Sequence, residues 1–376
     1  MGTSDGTVVG TSKVVDHGGN NERYNVVILG DGFRSTEQTA YENAVTALAN
    51  KLQASAPFDA LWNNINVHRV DVHSNQSGAD DPAACGGPGT TANTYFDAAF
   101  CNNNIRRLLT VDAGLVLSTA AAQVPEWHAI IVVVNSTEYG GSGGQVAVYS
   151  LAAGADEIAI HEMGHSAFGL ADEYEYYAGC LSGETDHNNH PGGEPAEPNV
   201  TVNSDLTTLK WRHLLAVSAP TPTTSNADCT KCDTQAEPAP AGRVGLFEGA
   251  AYYHCGAYRP VFDCRMHKLG RPFCPVCQER IRERVTSGRR AGSCFVATAV
   301  YGDPFHADVV ALRAFRDRHL TEGARGRRAM SVCVALYQQF GPPLARLVQG
   351  RRHVAGALRS LLLHPLAMAL RERTRP

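Results

Sequence analysis

Residues 127–135 read WHAIIVVVN, a strongly apolar and mostly β-branched run. A run of this length and composition suits a central strand inside a covered sheet. Residues 24–30, YNVVILG, form a second buried strand, and Asp31-Gly32 closes it with a turn. Ser35 followed by Glu37 and Gln38 has the pattern of a helix start, and Ala44, Leu48 and Leu52 then recur at helical spacing. Residues 65–72, INVHRVDV, alternate as a half-buried strand does. Residues 74–91 are loop, 95–109 read as helix, 140–144 (GGSGG) as a flexible turn, 145–150 as a further strand, and 156–170 as a helix ending at Gly169. This order predicts an α/β domain built on a mixed sheet.

The chain has 376 residues, is 43% hydrophobic and 19% charged, so a sizeable core is expected and wholesale disorder is not. A net charge of -4 argues against a polyanionic partner, and no nucleic acid is expected. The charge is unevenly spread: residues 291–376 carry 13 Arg against 5 acidic residues. Residues 1–19 are read as a flexible N-terminal segment. They contain neither a basic n-region nor an apolar h-region, so no signal peptide is read there. No run of 18 apolar residues marks a membrane helix. Residues 191–240 are read as loop or surface insert, 20–286 as one α/β domain, and 291–376 as a helical, Arg-rich C-terminal domain.

Eleven cysteines, nine of them between Cys85 and Cys277, suit an oxidising, extracytoplasmic setting. Cys85 and Cys101 flank a Gly-rich loop and are placed to staple it. Cys229-Thr230-Lys231-Cys232 and Cys274-Pro275-Val276-Cys277 are two CxxC pairs. Four such thiolates can hold a structural zinc, but the two pairs are far apart in sequence and disulfides are the favoured reading.

The chemistry centres on His161-Glu162-Met163-Gly164-His165. Histidines four residues apart share one helix face and can hold one zinc ion. Glu162 is turned off that ligand axis. It can take a proton from a water acidified by the metal and later deliver it to a leaving amine. A catalytic zinc needs a third protein ligand. Beyond the glycine that ends the helix, Asp172 is taken as that ligand, with Glu173 as the alternative. The expected cofactor is therefore one catalytic zinc ion. The expected activity is zinc-dependent hydrolysis of peptide bonds in protein or peptide substrates. Another zinc hydrolase (a cell-wall amidase or carboxypeptidase) and a non-catalytic envelope-binding protein are the alternatives. An intact Glu162 argues against the last.

The run HEMGHSAFGLADEY resembles the signature of the M64 metallopeptidase family, which includes an immunoglobulin A peptidase. The similarity continues in VVILGDGF at 26–33, NVHRVDVHSNQSGADDP at 66–82, TYFDAAFC, NSTEYGGSGG at 135–144 and CRMHKLGRPFCPVCQE at 264–279, and so covers about residues 20–285. The resemblance implies a metzincin-like zinc peptidase domain. Gly169 and Asp172 fall one place later than the glycine and third ligand of the metzincin pattern, which leaves Asp172 and Glu173 both open. It also implies that Met266 is the Met-turn residue beneath the metal. In related peptidases an edge strand near the zinc helix aligns the substrate by main-chain pairing, a role that falls here to residues 145–149. Tyr258 is a candidate donor to the oxyanion of the tetrahedral intermediate. His254 and His267 are candidates to face the cleft, and His187 and His190 are read as solvated.

The segment beginning Cys294-Phe295-Val296-Ala297-Thr298 resembles a small bacterial module called the CFI-box domain. Its basic amphipathic stretch, LRAFRDRHL at 312–320, suits contact with an anionic membrane surface or the cell envelope.

Overall fold

The computed structural model describes residues 3–176, 180, 188–215 and 220–287, with four isolated residues beyond them (359, 360, 364 and 365). The expected C-terminal module and His187 lie outside the described residues.

Six strands form one mixed sheet: β1 (Gly6–Val15), β2 (Tyr24–Asp31), β3 (Ile65–Ser74), β4 (Trp127–Val134), β5 (Gly141–Ser142) and β6 (Ala147–Ser150), in the spatial order β1-β3-β2-β4-β6-β5. β2 runs parallel to both β3 and β4, and β4 parallel to β6, while β1 and β5 close the two edges antiparallel. A separate hairpin joins β7 (Phe247–Ala250) to β8 (Tyr253–Arg259). The helices are α1 (Gln38–Gln53), α2 (Phe58–Leu61), α3 (Ala113–Gln123), α4 (Ala155–Phe168) and α5 (Pro275–Ser287). Among the described residues no helix is long and apolar enough to cross a membrane.

The middles of the central strands β2 and β4 are apolar because both sheet faces are covered. The two-residue period sends Val26, Ile28, Ile131 and Val133 into one cluster with α1, α4 and α5 residues. It sends Val27, Leu29, Ile130 and Val132 into a second cluster with Leu115, Val116 and Ala120 of α3.

Three expectations need correction. The N-terminal segment is not flexible: residues 6–15 form the ten-residue strand β1, paired with β3 along its length. Its alternating half-exposed pattern is that of an edge strand, and its Gly, Ser and Thr content hid that. Residues 95–109 do not form a helix. The buried Asp31 carboxylate at the end of β2 accepts hydrogen bonds from the backbone N–H groups of Phe96 (2.9 Å) and Ala98 (3.0 Å) and from the Thr94 hydroxyl (2.8 Å). Asp97, Cys101, Asn103 and Asn104 take positive φ, and Cys101 is bonded to Cys85, as expected from the loop they flank. The helix stands further along, as α3, where the Asp112 side chain accepts the Leu115 N–H at 2.9 Å. Residues 140–144 are not simply a turn, since Gly141 and Ser142 form β5.

Burial raises the carboxyl pKa of Asp31, and the hydrogen bonds it accepts work in the opposite direction. Asp31→Ala orphans several buried donors at once. It is expected to lower unfolding stability by roughly 3–5 kcal/mol, measured as a shift of the urea midpoint at unchanged slope.

Among the described residues the cysteines form three disulfides, Cys85–Cys101, Cys180–Cys232 and Cys229–Cys255, a pattern consistent with an extracytoplasmic protein. The two CxxC pairs therefore behave differently. Cys229 and Cys232 are bridged to separate partners, whereas Cys274 and Cys277 are free and buried.

Candidate metal centre

Helix α4 lies against β4, β5 and β6, and its acidic first turn, Asp156 and Glu157, suits the positive end of the helix dipole. Lys51 of α1 holds both carboxylates at 2.8 Å, and Arg265 also pairs with Glu157. The helix stops at Gly169, whose φ of 64° is left-handed. The Gly169 N–H returns to the His165 carbonyl and the Leu170 N–H to the Gly164 carbonyl, each at 3.1 Å. This cap turns the chain back along the helix and brings Leu170 and Asp172 to the two histidines.

His161 Nε2, His165 Nε2 and Asp172 Oδ1 converge. The two ring nitrogens are 3.1 Å apart, and each lies 3.1 Å from the carboxylate oxygen. The opposite edges of the rings fix the tautomers. His161 Nδ1–H donates to the Arg265 carbonyl at 2.9 Å and His165 Nδ1–H to the Leu170 carbonyl at 2.7 Å. With both protons held there, neutral rings would aim two lone pairs at each other and at a carboxylate. Such a donor set fits a shared cation. The other Asp172 oxygen accepts the Tyr252 hydroxyl.

Charge follows the geometry. Burial works against ionising Asp172, but the hydrogen bonds and charge of His161 and His165 outweigh it and hold the carboxyl far below its ordinary range. Burial also opposes a proton on His165, yet its bond to Asp172 prevails and its pKa is raised to about 9. Burial pushes the Glu162 carboxyl up, against the pull of the two histidines.

Glu162 faces a cleft of about 280 Å3 whose lining includes His161, Arg107, Tyr139, Tyr174, His267 and Lys268. Gly143, on the chain leaving β5, lies against the Glu162 side chain. A Cβ there would stand 2.2 Å from Glu162 Oε2, so only glycine leaves that carboxylate its place.

Met266 is fully buried beneath the helix. A Cβ on Gly164 would come within 2.6 Å of its sulfur. The chain turns around it, with His267 and Lys268 N–H groups returning to the Cys264 carbonyl. Glu173 is brought elsewhere: its Oε1 accepts from Asn199 at 2.9 Å and lies 3.4 Å from Cys277 Sγ. Tyr258 sits on β8, paired through its backbone with Thr201, and is not among the residues lining the cleft. His254 is paired with Glu175 in the interior at 3.2 Å, and His190 stacks edge-on with Tyr253. His267 does line the cleft. Within residues 145–149 the strand β6 begins at Ala147; it is bonded to β4 on one side, and Val148 and Tyr149 pair with Ser142 and Gly141 of β5 on the other.

Tyr252, Tyr174 and Arg107 carry no signal in the sequence that marks them for the site. Tyr252 reaches Asp172 because Ala251 and Tyr252 form the β7–β8 turn with φ of 52° and 70°, a conformation rare for residues with side chains. The turn docks by Ala251 N–H to the Asp172 carbonyl (3.1 Å) and Tyr252 N–H to the Tyr174 carbonyl (2.9 Å). No Asn-Gly pair announces such a hairpin. Arg107 lies within the segment whose spacing suggests a helix that does not form.

No curated protein matches the chain. Residues 13–237 and 231–285 match the family described as IgA Peptidase M64, which takes in well over half of the chain. The chain belongs to this family of metallopeptidases, and its substrates are proteins or peptides.

Proposed function

We propose that this family member is a zinc metalloendopeptidase, with His161, His165 and Asp172 as the zinc ligands and Glu162 as general base and acid. The observation that carries the reading is the meeting of two Nε2 atoms and one carboxylate oxygen, at 3.1 Å from one another, on the wall of a cleft that also holds Glu162. A zinc ion bound there supplies Lewis acidity, acidifying a water and polarising the scissile carbonyl.

The protein's own groups do the rest. The Arg265 and Leu170 carbonyls keep the two imidazoles oriented, and Tyr252 steadies Asp172. Glu162 takes the proton of the attacking water and returns it to the leaving amine. Its upward-shifted pKa favours holding that proton between the two steps. Arg107 brings a fixed cation to the cleft for negative charge that develops on the substrate. Met266 packs under the helix as the Met-turn residue, in keeping with a metzincin-like site.

The test is digestion of an unbiased peptide library by zinc-loaded protein, chelated protein and chelated protein resupplied with zinc. Internal cleavage that is lost and then recovered supports the reading. Release of single terminal residues points instead to an exopeptidase, and stoichiometric zinc without peptide cleavage to another hydrolase.

A pH dependence follows for the metal-free protein. The raised pKa of His165 contributes stability in full below its ordinary value of 6.5, and that contribution is lost as pH rises through about 9. The depressed pKa of Asp172 contributes above its ordinary value of 3.8 and is lost in stronger acid. Zinc competes with the His165 proton, so zinc affinity moves the opposite way and increases from pH 6.5 to 9. Thermal unfolding with and without zinc across that range is expected to show a gap that widens with pH.

A further inference from the structure

Among the described residues three cysteines are free, Cys264, Cys274 and Cys277, and all three are buried. They gather around the Glu173 carboxylate, and one ligand atom from each of the four lies within 4.8 Å of every other. We propose that Cys264, Cys274, Cys277 and Glu173 bind a second zinc ion, a structural one, in the core behind the cleft.

The spacings are those of a tetrahedral site. Zinc–sulfur bonds of about 2.3 Å at tetrahedral angles set a sulfur–sulfur edge of about 3.8 Å. Cys264 Sγ and Cys277 Sγ are 3.8 Å apart. A mixed sulfur–oxygen edge comes to roughly 3.5 Å, and Cys277 Sγ lies 3.4 Å from Glu173 Oε1. Two backbone N–H groups point at sulfur, Cys274 at Cys264 Sγ (3.3 Å) and Cys277 at Cys274 Sγ (3.4 Å), an arrangement that supports thiolates.

A second, independent observation concerns Glu173. The residue is 0% exposed, and its Oε2 has no hydrogen-bond partner among the described residues. A carboxyl buried so completely must be neutralised, by a proton or by a cation, and three sulfur atoms stand within reach to share a cation with it. A disulfide between any two of the cysteines would remove two of the four donors that converge here. Three thiolates and one carboxylate in four-coordinate geometry select zinc over magnesium or calcium.

The position gives the ion a purpose. Glu173 follows Asp172 and donates its N–H to the Met266 carbonyl at 2.8 Å. Cys264 precedes Arg265, whose carbonyl orients His161. One ion would thus clamp the two segments that shape the His161–His165–Asp172 site, and tie them to the start of α5.

The test uses the full chain with cobalt in place of zinc. The His161–His165–Asp172 set contains no sulfur, so near-ultraviolet thiolate-to-cobalt charge transfer that is lost in Cys264→Ser/Cys277→Ser arises from the cysteine site. Its presence in cobalt-substituted wild-type protein, and its survival in His161→Ala/His165→Ala, are expected, together with zinc counts of two and one per chain for these proteins. Absence of the band from cobalt-loaded wild type, or recovery of any two of the three cysteines as a disulfide, overturns the proposal. The proposed catalytic site is judged separately. If wild type holds a single zinc that the double substitution leaves in place, the catalytic assignment fails and the cysteine site stands.

Discussion

Glu162→Gln is expected to lower kcat/KM by about 10²–10⁴ with zinc content unchanged. The substitution keeps the side-chain volume and touches none of the three converging ligand atoms. It removes the group able to accept a proton within the cleft. The fall should appear in kcat, because proton movement belongs to the chemical step. Stability at neutral pH should match or exceed wild type. Burial already disfavours the ionised carboxylate, and a neutral amide is relieved of that penalty. Loss of activity with loss of zinc would instead place Glu162 among the ligands.

Asp172→Ala is expected to weaken zinc binding by more than about 100-fold, since loss of outer-shell partners alone costs about 10–100-fold. Activity at stoichiometric zinc should fall to background. The side chain also does more than offer an oxygen to a metal: one of its oxygens lies 3.1 Å from both histidine Nε2 atoms and the other accepts from Tyr252. Removing it should bring the His165 pKa down from about 9, which NMR titration of the metal-free variant would register. Retention of wild-type zinc affinity would exclude Asp172 as third ligand.

These assignments are readable in the sequence to differing degrees, for physical reasons. β2, β3 and β4 announce themselves because strands covered on both faces need continuous or alternating apolar residues. Helix α4 and its stop at Gly169 are written in local chemistry, and so is the pairing of His161 with His165. What sequence leaves open is the return path after Gly169. Asp172 and Glu173 are neighbours with the same functional group. They part company because Asn199 and the cysteine cluster claim Glu173, a choice made by residues distant in the chain. The segment 95–109 misleads for a similar reason. Its local spacing suits a helix, but a single buried carboxylate, Asp31, gathers its N–H groups into turns instead. β1 escapes notice because an edge strand needs only half of an apolar pattern. Tyr252 gives no signal at all, since its place depends on a strained hairpin turn docked against another loop.

The two metal assignments share one frame. The carbonyls that orient His161 and His165 belong to the turn after Cys264 and to the cap after Gly169. Any loosening of the Cys264–Glu173 cluster should therefore reach the cleft before it unfolds the sheet.

Anomalous scattering from crystals of the zinc-loaded chain, measured on both sides of the zinc absorption edge, tests the catalytic site most directly. A peak is expected between His161 Nε2, His165 Nε2 and Asp172 Oδ1, about 2.0–2.2 Å from each. A map with no zinc signal between those three atoms would contradict the assignment.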